Sequence, residues 1–265
     1  MTFPPPSVRG RVVVTGASSG IGREIARALA QRGHSLILVA RRGDRLAQLA
    51  AELSGPTVEI EARACDLTDH SQRATLCKEL GERDIAALVN NAGVATYGPL
   101  SKADPGEERA EVELDVNAVH DLVLAVLPGM LERRTGALLL TGSTAGNQIG
   151  PNNATYSAAK AFVNSFAESL HYELKGTGVS CTLLAPGPVA TEFAEVAALN
   201  STVTEQDWIW TNPTAVARST LRAMDRGQRR VVPGLIAKVQ TLGAGLTPTI
   251  VVGPIIRTVY GRLSV

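Results

Sequence analysis

Tyr156 and Lys160 stand four residues apart within residues 154–175, which have the apolar periodicity of a helix, so both side chains fall on one helix face. An isolated tyrosine has a pKa of about 10. A neighbouring ammonium group favours the phenolate and therefore lowers that pKa. A tyrosine tuned in this way can act as a general acid or base near neutral pH. The spacing also arises by chance, so a packed tyrosine and a solvated lysine stay open as an alternative.

Ser143 and Asn117 are two further polar candidates. Ser143 follows the predicted strand 137–141, and ligands of open α/β sheets bind at the carboxyl ends of the strands. Its hydroxyl could hydrogen-bond a substrate oxygen there. Asn117 lies in a long helical stretch, 107–131, which Pro128 is expected to kink or end. Taken singly, the two residues could equally be a turn serine and a helix asparagine.

A glycine-rich segment joins the first predicted strand to the first predicted helix. Gly16 permits a tight turn, Gly20 lets the backbone approach a pyrophosphate, and Gly22 allows close packing of helix and strand. The helix N-terminus then offers free amides to the phosphate charge. The spacing is GxxxGxG rather than GxGxxG, and the Gly-Lys-Ser/Thr of a Walker loop is absent from it. We predict a dinucleotide-phosphate site made by Gly16, Ser18, Ser19, Gly20, Ile21 and Gly22.

The end of the second predicted strand indicates which dinucleotide binds. An NAD site would offer a carboxylate to the ribose 2′-hydroxyl at this point. The chain instead has Ala40 followed by Arg41 and Arg42. Guanidinium groups suit a 2′-phosphate by charge and by bidentate geometry. The pattern therefore predicts NADP(H) over NAD(H), with solvated loop arginines as the alternative.

Asp66 and Leu67 follow the third predicted strand. The Asp66 carboxylate could accept a hydrogen bond from an adenine amino group. A helix cap or a turn residue is a competitive interpretation of the same aspartate.

The elements that must position these residues alternate along the chain, and strands separated by helices imply right-handed βαβ units. The apolar strands are continuous rather than alternating, which is typical of a parallel sheet covered on both faces. Asp44 is a plausible N-cap of the second helix, and Gly33 a C-terminal cap of the first. We predict one α/β domain over residues 1–265, a Rossmann-like doubly wound parallel sheet in three α/β/α layers. Its predicted strands are 11–15, 35–40, 58–63, 87–89, 137–141, 179–185 and 230–232, and its helices 21–31, 44–53, 69–80, 107–131, 154–175 and 213–224.

Composition and charge exclude several classes of protein. The formal net charge is +1, so the chain lacks the basic footprint of a nucleic-acid-binding protein. The three cysteines form no CxxC motif, which argues against a disulfide framework and against a structural zinc site. The first nine residues lack the apolar core of a signal peptide, and the sequence has no apolar run of about eighteen residues. We therefore expect a cytoplasmic protein without a bound metal.

Together these segments resemble the classical short-chain dehydrogenases/reductases, over residues 11–232. The matching motifs occur in the family's order, and Ser143 and Tyr156 are separated by the family's usual interval of thirteen. Ala40-Arg41 is similar to the NADP-preferring subgroup. Jointly this set is specific, although each piece is modest alone. The motifs are Thr15-Gly-Ala-Ser-Ser-Gly-Ile-Gly22, Asn90-Asn91-Ala92-Gly93, Asn117, Ser143, Tyr156-x-x-x-Lys160 and Pro186-Gly187.

The resemblance implies a role for each matching residue. Tyr156 would exchange a proton with the substrate oxygen, and Lys160 would hold the nicotinamide ribose and bias the pKa of Tyr156. Ser143 would orient the carbonyl, and Asn117 would position a water molecule in the proton relay. Segments around the cofactor would include Asn91, Ala92, Gly93, Pro186, Gly187, Val189 and Thr191. The implied activity is hydride transfer between NADP(H) and a carbonyl/alcohol pair.

Two regions lie outside the alternation. Residues 190–212 follow the nicotinamide segment and form a predicted substrate lid, whose apolar residues include Phe193, Trp208 and Trp210. They suggest a lipophilic substrate, or simply dock the lid on the body. The C-terminal extension, 234–265, is apolar and could pack on its own subunit, cover the substrate mouth, form an oligomer contact or rest peripherally on a membrane. The resemblance also implies a homodimer or homotetramer through the helix that carries Tyr156 and Lys160.

Three functions remain to be separated. The first is a reductase or dehydrogenase acting on a small-molecule carbonyl or alcohol. The second is a fatty-acyl or sterol-type reductase with a narrower substrate. The third is an NADPH-binding regulatory protein without significant turnover, which an intact set of catalytic residues argues against.

Overall fold

The computed structural model describes residues 3–7, 10–189, 211–234 and 237. Within these residues, seven parallel strands form one sheet in the order β3-β2-β1-β4-β5-β6-β7. The order reverses between β1 and β4, which is the place where a doubly wound sheet opens a ligand crevice. The predicted fold class is confirmed. The strands are β1 (Arg11–Thr15), β2 (Leu36–Ala40), β3 (Ile60–Ala64), β4 (Ile85–Asn90), β5 (Gly136–Thr141), β6 (Val179–Leu184) and β7 (Arg230–Val231).

Helices cover both faces of the sheet. Successive residues of each central strand point to opposite faces, so that Val13 and Leu88 enter one apolar core while Val12 and Val89 enter the other. The low aromatic content is consistent with these cores, which consist mainly of Val, Leu, Ile and Ala. The helices are α1 (Gly20–Gln31), α2 (Gly43–Leu53), α3 (His70–Gly81), α4 (Pro105–Val112), α5 (Ala118–Glu132), α6 (Ala154–Glu173) and α7 (Pro213–Asp225).

The long helical stretch differs from its prediction in two ways. A π-helical turn, Glu113–Asn117, separates α4 from α5. Pro128 does not end the helix, which continues to Glu132. The carbonyl that Pro128 leaves without its usual donor belongs to Leu124, whose side chain is 56% exposed, so solvent can reach that side of the helix. By length and composition, residues 105–132 form one helical stretch that could cross a membrane, but Leu122 and Val126 bury its inner face against the sheet.

Two smaller predictions concern helix ends. The prediction that Asp44 is the N-cap of α2 is wrong, because α2 begins at Gly43 and Arg42 is the cap residue. Asp44 lies in the first turn, where its negative charge favours the helix dipole. Gly33 follows the end of α1 with φ +88°, and its amide donates to the Ala30 carbonyl, as a C-terminal capping glycine does.

Candidate active site

The predicted phosphate loop, residues 16–22, lies at the carboxyl end of β1 and opens α1. Gly16 and Gly20 have φ of +64° and +55°, a conformation that glycine adopts without strain. A Cβ on Gly22 would lie 2.4 Å from the Gly16 carbonyl oxygen, and one on Gly16 would lie 2.9 Å from the Ala92 Cα. The loop therefore needs small residues both for its turn and for the packing of the helix on the strand.

The Thr15 side chain links this loop to the next strand of the sheet. Its hydroxyl oxygen accepts hydrogen bonds from the backbone amides of Asn91 and Ala92, each at 2.9 Å. The Asn91 amide group donates in turn to the Thr15 carbonyl at 3.3 Å. Sequence reasoning placed Thr15 in the motif without giving it this role. The signal that the sequence offered was a hydroxyl residue directly after the apolar residues of the first strand.

Arg42 lies beside the phosphate loop although it follows a different strand. Its guanidinium donates to the hydroxyl groups of Ser18 and Ser19, at 3.1 and 3.0 Å. Arg41 is exposed next to it. The structure thus brings one of the two predicted 2′-phosphate arginines together with two of the predicted phosphate-loop serines.

Asp66 and Leu67 turn the chain between β3 and α3. The Asp66 carboxylate accepts from the amide and the hydroxyl of Thr68, at 3.0 and 2.7 Å, so the turn interpretation describes its contacts here. The Leu67 carbonyl accepts from the buried guanidinium of Arg73 at 2.8 Å. Arg73 also pairs with Glu113 and Asp121, which ties this turn to the π-helical turn and to α5.

Tyr156 and Lys160 are both buried on one face of α6, as their spacing predicts. The Lys160 Nζ lies 5.5 Å from the centroid of the Tyr156 ring. The ring packs against Ala95, after β4, and Ala145, in the turn after Ser143. The tyrosine is therefore held between the carboxyl ends of β4 and β5.

Lys160 has an acidic partner that sequence reasoning missed. Its Nζ lies 2.9 Å from Oδ2 of Asp115, and the two side chains are 5% and 0% exposed. The Nζ also donates to the Thr141 carbonyl at 3.3 Å, and Asp115 Oδ1 accepts from the Val94 amide at 3.1 Å. Burial raises the pKa of Asp115, and the ammonium of Lys160 acts in the opposite direction. The available signal was a carboxylate in the apolar helical stretch, two residues before Asn117.

A second buried carboxylate lies one turn earlier, in α4. Glu111 Oε2 accepts from the amide and hydroxyl of Thr96 at 2.9 and 2.7 Å, while its Oε1 has no hydrogen-bond partner within the described part of the chain. Burial is the main cause that raises the pKa of Glu111 to about 7, and the charge of Asp115 adds to it. The Thr96 hydroxyl also lies 2.7 Å from Glu108 Oε1, so its single proton can be donated to either carboxylate, one at a time. An acidic network thus lies behind Lys160.

Asn117 is the last residue of the π-helical turn and is partly buried. π-Turns inside α-helices are rare and occur often at functional sites. This turn packs against α6, the helix that carries Tyr156 and Lys160. The structure therefore brings Asn117 to the same end of the sheet as the other three predicted catalytic residues.

Ser143 lies where the pairing of β5 with β6 continues into two loops. The Gly142 amide donates to Leu184, and the Thr144 amide donates to Pro186 at 3.0 Å. The Ser143 hydroxyl accepts from the Ala145 amide at 3.1 Å, and its distance to the Pro186 carbonyl is 3.5 Å, too long for a strong hydrogen bond. The hydroxyl proton is therefore available to another acceptor.

The segment after β6 is described as far as residue 189. Pro186 is buried beside the Ser143 turn, Gly187 approaches Ala237, and Val189 pairs with Thr211 in a parallel bridge. Thr191 and the lid residues 190–210 lie outside the described residues, as does the C-terminal extension apart from residues 234 and 237.

Comparison with known proteins agrees with this arrangement. The sequence profile of the short chain dehydrogenase family matches residues 10–201. The chain is 39% identical over 189 residues to sulfoacetaldehyde reductase 2 of Chromohalobacter salexigens, a match that covers 70% of this chain and 75% of the reductase. It is 36% identical to the NADP-dependent 3-hydroxy acid dehydrogenase YdfG of Salmonella typhi, over 70% of this chain and 75% of that protein.

Solved structures give the same result. A short-chain dehydrogenase from Sphingobium yanoikuyae in complex with NADPH superposes with a TM-score of 0.81 and 31% identity, over 89% of this chain and 93% of that one.

Five other curated relatives are matched over 15% to 61% of their own lengths. The chain belongs to the short-chain dehydrogenase/reductase family and is an oxidoreductase.

Proposed function

We propose that this oxidoreductase transfers a hydride between NADP(H) and a carbonyl/secondary alcohol pair, with Tyr156 as the general acid or base. The observation that carries the proposal is the buried pair of Tyr156 and Lys160 next to the Ser143 turn. The phosphate loop lies at the same carboxyl end of the sheet. The NADP-dependent relative and the NADPH-bound structure support the cofactor.

The residues present fit the nucleotide. The glycine loop has no room for a Cβ at Gly22 and presents the N-terminus of α1. Arg42, held by the serine hydroxyls, and the exposed Arg41 would bind the 2′-phosphate. Bound nicotinamide would supply or accept the hydride. The proposed cofactor-binding residues are Gly16, Ser18, Ser19, Gly20, Ile21, Gly22, Arg41, Arg42, Asp66, Leu67, Asn91, Ala92, Gly93, Tyr156, Lys160, Pro186, Gly187, Val189 and Thr191.

The chain's own residues would control the proton. During reduction, Tyr156 would donate its phenolic proton to the substrate oxygen, and the ammonium of Lys160 would stabilise the phenolate that forms. The Ser143 hydroxyl, whose contact with Pro186 is long, would donate a hydrogen bond to the same substrate oxygen. Asn117 would hold a water molecule through which Tyr156 regains its proton. During alcohol oxidation the same groups would act in reverse.

Replacing Tyr156 by Phe tests the reaction against the regulatory alternative. We expect Tyr156→Phe to lower kcat by about 10² to 10⁴, because the proton donor is lost, while NADPH binding stays within about two-fold. Turnover assays of the parent and the variant measure kcat, and separate titrations of NADPH and NADH against each protein measure cofactor binding. Full turnover by the variant would contradict the role of Tyr156, and tighter binding of NADH than of NADPH would contradict the cofactor assignment.

We propose a lipophilic carbonyl or alcohol as substrate, with residues 190–212 as the lid. The support is the apolar sequence of that segment, which includes Phe193, Trp208 and Trp210. A panel of ketones of increasing apolar chain length is the test. A rise in kcat/KM with chain length would support the proposal, and a preference for small charged carbonyls would overturn it.

An apolar surface on α5 and α6 supports a homo-oligomer, a dimer or tetramer. Leu124 on α5 and Phe162 and Tyr172 on α6 are exposed, and the ring of Phe162 stacks on Phe166. A second copy of the chain would bury this surface. Replacing Leu124 and Phe162 together by Glu should yield monomers in sedimentation, whereas an unchanged mass would locate the contact elsewhere.

For location, we propose a cytoplasmic protein. Peripheral membrane contact, if the protein makes it, would come from the extension 234–265, which carries Lys238, Arg257 and Arg262 among apolar residues. Co-sedimentation with anionic vesicles, before and after truncation at residue 234, distinguishes the two cases.

A further inference from the structure

Asn164 is a buried polar residue of α6, one helical turn after Lys160. Its Oδ1 accepts a hydrogen bond from the Ser143 amide at 3.3 Å, and its Nδ2 donates to the Ser143 carbonyl at 2.9 Å. One side chain therefore holds both backbone polar groups of the serine proposed to bind the substrate oxygen. The motifs that identify the family do not include this position.

The neighbouring glycine makes this contact sterically feasible. A Cβ on Gly142 would lie 1.9 Å from the Asn164 Oδ1, a distance that no real side chain could tolerate. A Cβ on Gly146 would lie 2.4 Å from the Lys160 carbonyl carbon. The turn that carries Ser143 thus sits directly on α6, with glycines on both sides at the points of closest approach.

Asn147 fixes the orientation of the Asn164 carboxamide. The Asn147 Oδ1 accepts from the Asn164 Nδ2 at 3.1 Å and from the Arg230 Nη2 at 2.7 Å. A reversed carboxamide would direct its oxygen at two acceptors, the Ser143 carbonyl and the Asn147 Oδ1, and its amino group at the Ser143 amide. Only one of the two orientations of the Asn164 amide is compatible with its neighbours.

We propose that Asn164 is a positioning residue that holds the Ser143 hydroxyl in place for the substrate oxygen. The proposal rests on the role of Ser143 in the proposed function. Among the described residues, the hydroxyl itself has few restraints, because it accepts from one amide at 3.1 Å and lies 3.5 Å from the Pro186 carbonyl. Its position is therefore set by the backbone that Asn164 holds, and a misplacement of about 1 Å in an active site can cost about 10² in rate.

Three variants test the proposal in the full chain. Asn164→Leu has a similar shape and makes neither hydrogen bond. Asn164→Asp keeps the acceptor for the Ser143 amide and places a second oxygen against the Ser143 carbonyl and the Asn147 Oδ1. Ser143→Ala removes the hydroxyl that Asn164 is proposed to hold. Thr220→Val is the control, because it deletes another buried hydrogen bond, to the Val216 carbonyl on α7.

We expect both Asn164 variants to lower single-turnover reduction rates by about 10²-fold, with NADPH affinity within about two-fold of the parent and with the control near parent activity. The decisive readout is a double-mutant cycle. In the Ser143→Ala background, Asn164→Leu should cost less than about three-fold, because the hydroxyl on which it acts is already gone. A merely structural asparagine would lower the rate equally in both backgrounds.

The possible failures are distinguishable. If Ser143→Ala has a large effect and both Asn164 variants are within about three-fold of the parent, the positioning role is wrong while the role of Ser143 stands. Equal losses in the two backgrounds also overturn it. If Ser143→Ala itself keeps parent activity, the proposed function of Ser143 fails and the positioning role fails with it. Should Asn164→Leu not fold, Asn164→Asp supplies the same cycle.

Discussion

Along the carboxyl edge of the sheet, two regions hold their charged groups in opposite ways. They are the proposed phosphate-binding region, or phosphate end, with Arg41 and Arg42 after β2, and the proposed catalytic region, or catalytic end, with Lys160 and Asp115 near β4 and β5. At the phosphate end, Arg41 and Arg42 are exposed, and the Arg42 guanidinium donates to two hydroxyl groups of the loop. At the catalytic end, Lys160 and Asp115 are almost fully buried and lie 2.9 Å apart. The first arrangement presents positive charge at the surface of the protein, and the second neutralises charge in its interior.

The difference has a physical consequence. Exposed charges interact through water and salt, so their contribution is small and depends on ionic strength. Buried charges carry a desolvation cost that only a partner can offset, so removal of one partner is expensive. We therefore expect substitutions at the catalytic end to alter stability and substitutions at the phosphate end to alter ligand binding.

The largest expected effect is on stability and comes from Asp115→Asn. The substitution leaves the Lys160 ammonium buried without its counter-charge, and we expect the free energy of unfolding to fall by about 3–5 kcal/mol. Denaturant titration measures the change. Adding Lys160→Met to the variant should recover part of the loss, because the ammonium that lost its counter-charge is then removed as well. If Asp115→Asn alone were as stable as the parent, Asp115 would not be offsetting the buried charge of Lys160.

A smaller effect, visible only through pH, is expected from Glu111→Gln. Because the folded-state pKa of Glu111 is raised from 4.5 to about 7, its contribution to stability is present below pH 4.5 and is lost as the pH rises through about 7. Glutamine does not ionise. The free energy of unfolding of the variant, relative to that of the parent, should therefore rise by up to about 3 kcal/mol between about pH 5 and pH 8.

The comparison of parent and Glu111→Gln needs denaturant titrations at both pH values. Glu107→Gln, at an exposed position on the same helix, is the matched control and should show a much smaller change. A difference between parent and Glu111→Gln that is the same at both pH values would contradict the raised pKa.

The smallest expected effect is at the phosphate end, from Arg42→Ala. Losing charge-assisted hydrogen bonds to a 2′-phosphate should weaken NADPH binding by about 10- to 100-fold and leave NADH binding nearly unchanged. The loss should shrink as salt is raised, because the site is open to solvent. Arg32→Ala, at an exposed arginine paired with Asp225, is the control. An equal loss for both nucleotides would indicate that Arg42 only shapes the loop.

The sequence alone was sufficient for the features that depend on neighbouring residues. The strand-loop-helix order predicted the tight glycine turn before α1, and the spacing of Tyr156 and Lys160 placed both on one buried face of α6. Apolar periodicity predicted seven strands within a few residues of their observed bounds. These inferences succeed because backbone geometry repeats over short distances, so local patterns contain the necessary information.

Tertiary structure decided which distant side chains meet. Asp115 reaches Lys160 from another helix, Asn164 holds Ser143 across 21 residues of sequence, and Arg42 reaches Ser18 across 24. The sequence pattern also predicts a continuous helix where the structure has the π-helical turn, Glu113–Asn117. A polar residue in an apolar segment shows that a buried partner is needed, because an unpaired polar group is costly to bury. Which partner it finds depends on how the helices pack on the sheet.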